Sequence, residues 1–76
     1  MKELVEVLAK ALVDHPEEVN VTERRENGET VLELRVAPSD MGKVIGRRGR
    51  IARAIRSVVK AASTKTDERV IVDIVQ

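Results

Sequence analysis

Asn27-Gly28 lies between two stretches in which apolar and polar residues alternate, and no feature restricts the fold of this 76-residue chain more tightly. Both residues tolerate positive φ, which the favoured two-residue hairpin turns require. Before the turn, Val19 and Val21 alternate with Asn20 and Thr22. After it, Leu32, Leu34 and Val36 share one face of a strand, with Glu33 and Arg35 on the other. Two antiparallel strands are expected, and Pro38 ends the second.

Helical periodicity flanks the hairpin. Leu4, Val5, Leu8, Ala11 and Leu12 make one apolar stripe that stops before Pro16, so a first helix should end near Asp14. Ile51, Ala52, Ile55, Val58, Val59 and Ala62 make a second stripe, with Arg50, Arg53, Arg56 and Lys60 lying off it toward solvent. Ser39 and Asp40 offer capping oxygens for a short helix through Met41 to Ile45. Arg69 to Gln76 is β-branched and sets Val70, Val72 and Ile74 against Ile71, Asp73 and Val75. Apolar on much of both faces, this third strand is expected at a central or covered position. One face of a three-stranded sheet can then bury both helical stripes, giving an α+β two-layer sandwich.

Charge is distributed unevenly along the chain. The net charge is only +1, yet Lys43, Arg47, Arg48, Arg50, Arg53, Arg56 and Lys60 fall in a segment with no Asp or Glu. The remaining seven bases face all 13 acids. A basic segment on an acidic body is the footprint of a localised polyanion site, although a solvated basic helix face would read similarly.

Within that segment, Gly46-Arg47-Arg48-Gly49 stands directly before the second helical stripe. Glycines lack the Cβ that would keep a phosphodiester chain away from the backbone, the two arginines supply charge, and a helix starting near Arg50 would add free N–H groups. A G-x-x-G tetrapeptide also occurs in plain turns; here the basic context favours a loop that holds a nucleic-acid backbone.

Other function classes find little support. The chain has no cysteine, hence neither disulfides nor thiolate metal sites. Acids interrupt Met1-Lys2-Glu3-Leu4-Val5-Glu6 where a secretion signal would be apolar, so a cytoplasmic location is expected. His15, the sole histidine, reads as a helix-end residue, no nucleophile arrangement accompanies it, and the carboxylates show no metal-ligand spacing. Neither an enzyme, a bound metal nor a cofactor is expected. With no Phe, Trp or Tyr, the chain also lacks the stacking platform on which many single-strand readers rely.

The element order, with Gly42-Lys43-Val44-Ile45-Gly46 followed by Gly49-Arg50-Ile51-Ala52 and Val58-Val59-Lys60-Ala61-Ala62, resembles a KH domain of the bacterial, type II arrangement. More closely, it resembles the small stand-alone bacterial KH proteins of the KhpA family, over essentially all of residues 1–76 as one domain. The resemblance implies an α-β-β-α-α-β fold and a non-catalytic single-stranded RNA binder acting in post-transcriptional regulation. Gly46, Arg47, Arg48 and Gly49 would contact sugar-phosphate, gripping about four nucleotides as KH loops do. Val44, Ile45 and Ile51 would floor a groove for bases, strand residues near Leu34 to Val36 would form its other wall, and Lys43, Arg50 and Arg53 would complete the RNA-binding set. It further implies a homodimer, or pairing with a larger RNA-binding protein that has its own KH domain. Single-stranded DNA is a possible second ligand, no membrane is involved, and the competing reading is a protein-interaction module with secondary nucleic-acid binding.

Overall fold

The computed structural model describes residues 1–75, except for the side chain of Arg47. It contains helix α1 (Lys2–Leu12), a 3₁₀ turn (Pro16–Glu18), strands β1 (Asn20–Glu26) and β2 (Glu29–Arg35), helix α2 (Pro38–Ser63) and strand β3 (Val70–Val75). Gln76, the last residue of the expected third strand, lies outside the described residues.

Asn27 and Gly28 adopt φ of +50° and +77°, so the hairpin turn forms where the sequence places it. β1 pairs antiparallel with β2, Val21 opposite Leu34 and Glu26 opposite Glu29. β3 runs parallel to β2, with Thr30 opposite Val70 and Arg35 opposite Val75. The sheet order is β1-β2-β3, which corrects the expected position of the third strand: β3 is an edge, and β2 occupies the centre. Its apolar outer side instead reflects cross-strand packing. Val31 faces away from the helices yet is buried, flanked in register by Ile71 and by the stem of Arg24.

The helices cover the opposite face. Val5 and Ala9 from α1, Val44, Ile55 and Val59 from α2, and Leu32 and Leu34 from the central strand make the densest part of the core. Each is at most 2% exposed.

α2 departs from expectation in two ways. It begins with Ala37 at the N-cap and Pro38 in the first turn, not near Met41, because the fixed φ of proline suits that position. It also continues through Gly46 as one 26-residue helical run where a loop was expected. The interruption is confined to Arg48 and Gly49, whose φ values of +65° and +63° have the opposite sign to a right-handed helix. The run therefore changes direction at those two residues, dividing into a first arm (38–47) and a second arm (50–63). A left-handed residue pair can turn a helix while leaving regular hydrogen bonding close on either side. Counting the arms separately restores the expected α-β-β-α-α-β order.

Asp40 does not cap its own helix. Buried at 1% exposure, its carboxylate accepts hydrogen bonds from the backbone N–H groups of Asp14 (3.2 Å) and His15 (3.0 Å). The Asp14 carboxylate in turn accepts from Lys43 Nζ at 3.0 Å. This clasp ties the segment after α1 to the first arm. Among the described residues, no helix is long and apolar enough to cross a membrane.

Ile55→Ala should cost about 2–5 kcal/mol, because it removes a buried side chain and leaves a cavity. Val58→Ala, at a position 40% exposed on the same arm, should cost much less. Denaturant titrations should show the first variant with a lower midpoint and an unchanged slope, and the second close to wild type.

Candidate nucleic-acid interface

The turn between the arms is open to solvent: Arg48 is exposed, and Gly46 and Gly49 are partly so. A Cβ built on Gly46 would meet nothing within 4 Å, and its backbone is not left-handed. Neither internal packing nor conformation requires glycine there, although a glycine in a helix costs about 1 kcal/mol relative to alanine. Gly49 is different, since its φ of +63° favours glycine directly. Arg48 holds a similar left-handed conformation with a side chain attached. A right-handed helical turn followed by left-handed residues is the succession that gathers consecutive N–H groups into an anion-binding concavity.

The other expected residues fall into two groups. Val44 is completely buried, so it supports the first arm from beneath. Ile51 is partly buried against the core. Ile45 presents 51% of its surface beside the turn, and Lys43 is exposed but engaged with Asp14. Arg50 and Arg53 are exposed and, with Arg48, Ala54 and Ser57, line a shallow pocket of about 400 Å³. The expected role of Arg47 falls on a side chain outside the described ones.

Leu34 and Val36 are buried at the centre of the fold, so β2 cannot supply the far wall of a groove. The wall facing the second arm is the free edge of β3. Between them lies an open groove of about 580 Å³, lined by Arg56, Val59, Lys60 and Ser63 on one side and residues 68–72 on the other. Arg56 Nε donates to the carbonyl oxygen of Val72 at 3.4 Å, covering one acceptor of the exposed edge. Gly49, Arg53, Arg56 and Lys60 are spaced four, three and four apart, so they share a helical face, on which Arg56 and Lys60 line this groove and Arg53 lines the shallow pocket nearer the turn.

Sequence reading missed Arg56, Lys60 and the β3 edge as parts of one channel. The helical spacing of the bases was visible, but the strand beside them depends on sheet order.

Ion pairing separates the two halves of the molecule. Arg24 bridges Glu26 and Glu33, each at 2.8 Å, and Arg25 reaches Glu68 at 3.6 Å. The hydrogen bond that Arg24 donates to Glu33, followed by the charges of Glu26 and Glu33, raises the Arg24 guanidinium above its usual pKa. Among the described residues, Arg48, Arg50, Arg53 and Lys60 have no ion-pair partner, so their charge is available to an external anion.

One grouping differs from the expectation of no metal-ligand spacing. The 3₁₀ turn brings ligand atoms of His15, Glu17 and Glu18 within 4.8 Å of one another, but all three residues are exposed and His15 pairs with Glu17 at 3.4 Å. Solvated surface charges account for this arrangement.

Comparison with known proteins gives a consistent result. The family described as KhpA/KhpB, KH domain, matches residues 2–74. The RNA-binding protein KhpA of Clostridium perfringens is 59% identical over 75 residues, covering 99% of this chain and all of that protein. The protein of the same name from Clostridium acetobutylicum is 57% identical with the same coverage. That from Aquifex aeolicus is 46% identical across all of this chain and 96% of its own length. No solved structure matches.

Gly46→Ala should leave thermal stability unchanged or raise it slightly, since alanine favours the helix and meets open space. Gly49→Ala should cost about 1–2 kcal/mol through its left-handed backbone. Thermal melts of the two variants should move apart accordingly.

Proposed function

The chain belongs to the KhpA/KhpB KH-domain family, and from that premise we propose that it is a non-catalytic, sequence-tolerant binder of single-stranded RNA in the cytoplasm. The observation that carries this reading is a glycine at position 46 in a helical arm, with open space about it and, among the described residues, Arg48 and Arg50 nearby without ion-pair partners. Such a position is costly for the free protein and suits the close approach of an outside chain. The sugar-phosphate backbone rests on Gly46, Arg47, Arg48 and Gly49, with Lys43, Arg50 and Arg53 adding positive potential around the turn. About four nucleotides continue along the second arm. Ile45 and Ile51 offer aliphatic contact to the bases, while the β3 edge offers backbone groups that can hydrogen-bond to base edges.

A site of this length binds weakly by itself. Pairing with a second copy, or with a larger protein carrying its own KH domain, would raise the effective affinity without new kinds of contact. Val58, 40% exposed on the second arm, supports such an association. Light scattering over a concentration series should show the mass rising toward that of a dimer; a constant monomer would argue against self-pairing.

With three to five phosphates neutralised, the logarithm of affinity for a short RNA should fall against the logarithm of salt with a slope of about −2 to −3.5. Fluorescence anisotropy should show the Arg47→Asp, Arg48→Asp double variant losing most binding while its circular dichroism spectrum is retained. Undiminished binding by a folded double variant would overturn the proposal.

A further inference from the structure

The groove changes charge along its length. Its basic part is lined by Arg56 and Lys60 of the second arm, while Arg48, Arg50 and Arg53, nearer the turn, line a separate shallow pocket. At the opposite end, where the second arm finishes and β3 begins, the same groove is lined by Glu29, Glu68 and Arg69. These acids are held in place. Glu68 accepts from the Thr30 hydroxyl at 3.4 Å and pairs with Arg25 at 3.6 Å, while Glu29 pairs with Arg69 at 3.5 Å. Both arginines at this end are thus engaged with carboxylates, and Asp67 adds a further acid in the adjoining loop.

The distances give this change of charge a consequence. Gly49 to Ser63 spans 14 residues of helix, about 21 Å at 1.5 Å per residue. A strand that lays its first phosphates on the glycine turn and follows Arg53, Arg56 and Lys60 reaches the carboxylates near the end of that span. Further phosphates would meet like charge.

Resting on the reading of this groove as an RNA track, we propose that Glu29 and Glu68 are specificity-determining residues that limit the length of RNA the module accepts. They act by repelling the backbone beyond about the fourth nucleotide, so the protein selects short unpaired segments and leaves a continuing strand to turn away from its surface. The basic arm supplies attraction, and the two glutamates set where it ends.

The test compares wild type with a Glu29→Gln, Glu68→Gln double variant on oligouridine RNAs of three to eight nucleotides at low salt. Glutamine keeps the hydrogen-bonding shape, and the exposed ion pairs it removes contribute little stability. Wild-type affinity should level off after about four nucleotides. The variant should continue to gain about two- to fivefold for each of the next nucleotides, the range an exposed charge contact supports. A Glu17→Gln, Glu18→Gln control, with the same change of charge outside the groove, should shift all lengths together and keep the plateau. If the groove variant keeps the wild-type length profile, or the control loses its plateau equally, the proposal fails. If neither wild type nor variant binds RNA at any length, this inference and the RNA-binding reading fail together, whereas binding with an unchanged profile removes only this one.

Discussion

Two consecutive left-handed residues, Arg48 and Gly49, set the geometry on which the rest of the structure depends. A straight helix of 26 residues would extend about 39 Å, longer than the molecule, whose largest dimension is 34 Å. Reversing the sign of φ at two positions folds that length into arms that can both lie on the sheet. Val44 from the first arm and Ile55 and Val59 from the second then reach the same core. The turn that makes this possible lies at the surface, with Arg48 exposed and Gly49 partly so, and the residues that bend the chain are therefore accessible to a ligand. Gly49 takes its conformation at low cost; Arg48 does so at a cost of about 1–3 kcal/mol, the usual range for such backbone strain.

The hairpin and the helical stripes were legible because they rest on local rules. Positive φ at Asn27 and Gly28, alternation along β2 and the burial of Ile55 and Val59 all follow from residue type and spacing. The errors arose where a local signal had more than one tertiary outcome. β3 is apolar on both sides, which suggested coverage, but the parallel crossover through α2 places it at an edge where Ile71 shields Val31. Asp40 carried the residue type of a helix cap, yet it serves amides 25 and 26 residues away. No pattern in the sequence specifies that distance.

The candidate interface was legible to a similar extent. The glycines and the acid-free basic run gave its centre, while its far wall required knowing which strand lies beside the second arm. Placing β3 there changes the chemistry of the groove. Its boundary is an unpaired strand edge, with peptide N–H and C=O groups available at regular spacing, where a central strand would offer none.

That edge also explains how a chain without aromatic residues can hold unpaired bases on the proposed reading. Stacking platforms bind any base face, and their absence shifts the work to aliphatic contact and to hydrogen bonds with base edges. Arg56 occupies the Val72 carbonyl from across the groove, so its guanidinium stands between the strand edge and the path proposed for the phosphates. Its contact is 3.4 Å long and involves a side chain on an exposed helical face. A base that accepted the role of donor to Val72 would release Arg56 to a phosphate, exchanging a neutral acceptor for a charged one. Both bonds are charge-assisted through the guanidinium, and a phosphate adds a full opposite charge that the carbonyl lacks. On the proposed reading the exchange would favour the bound state and would couple contact with a base at the edge to retention of the backbone along the arm.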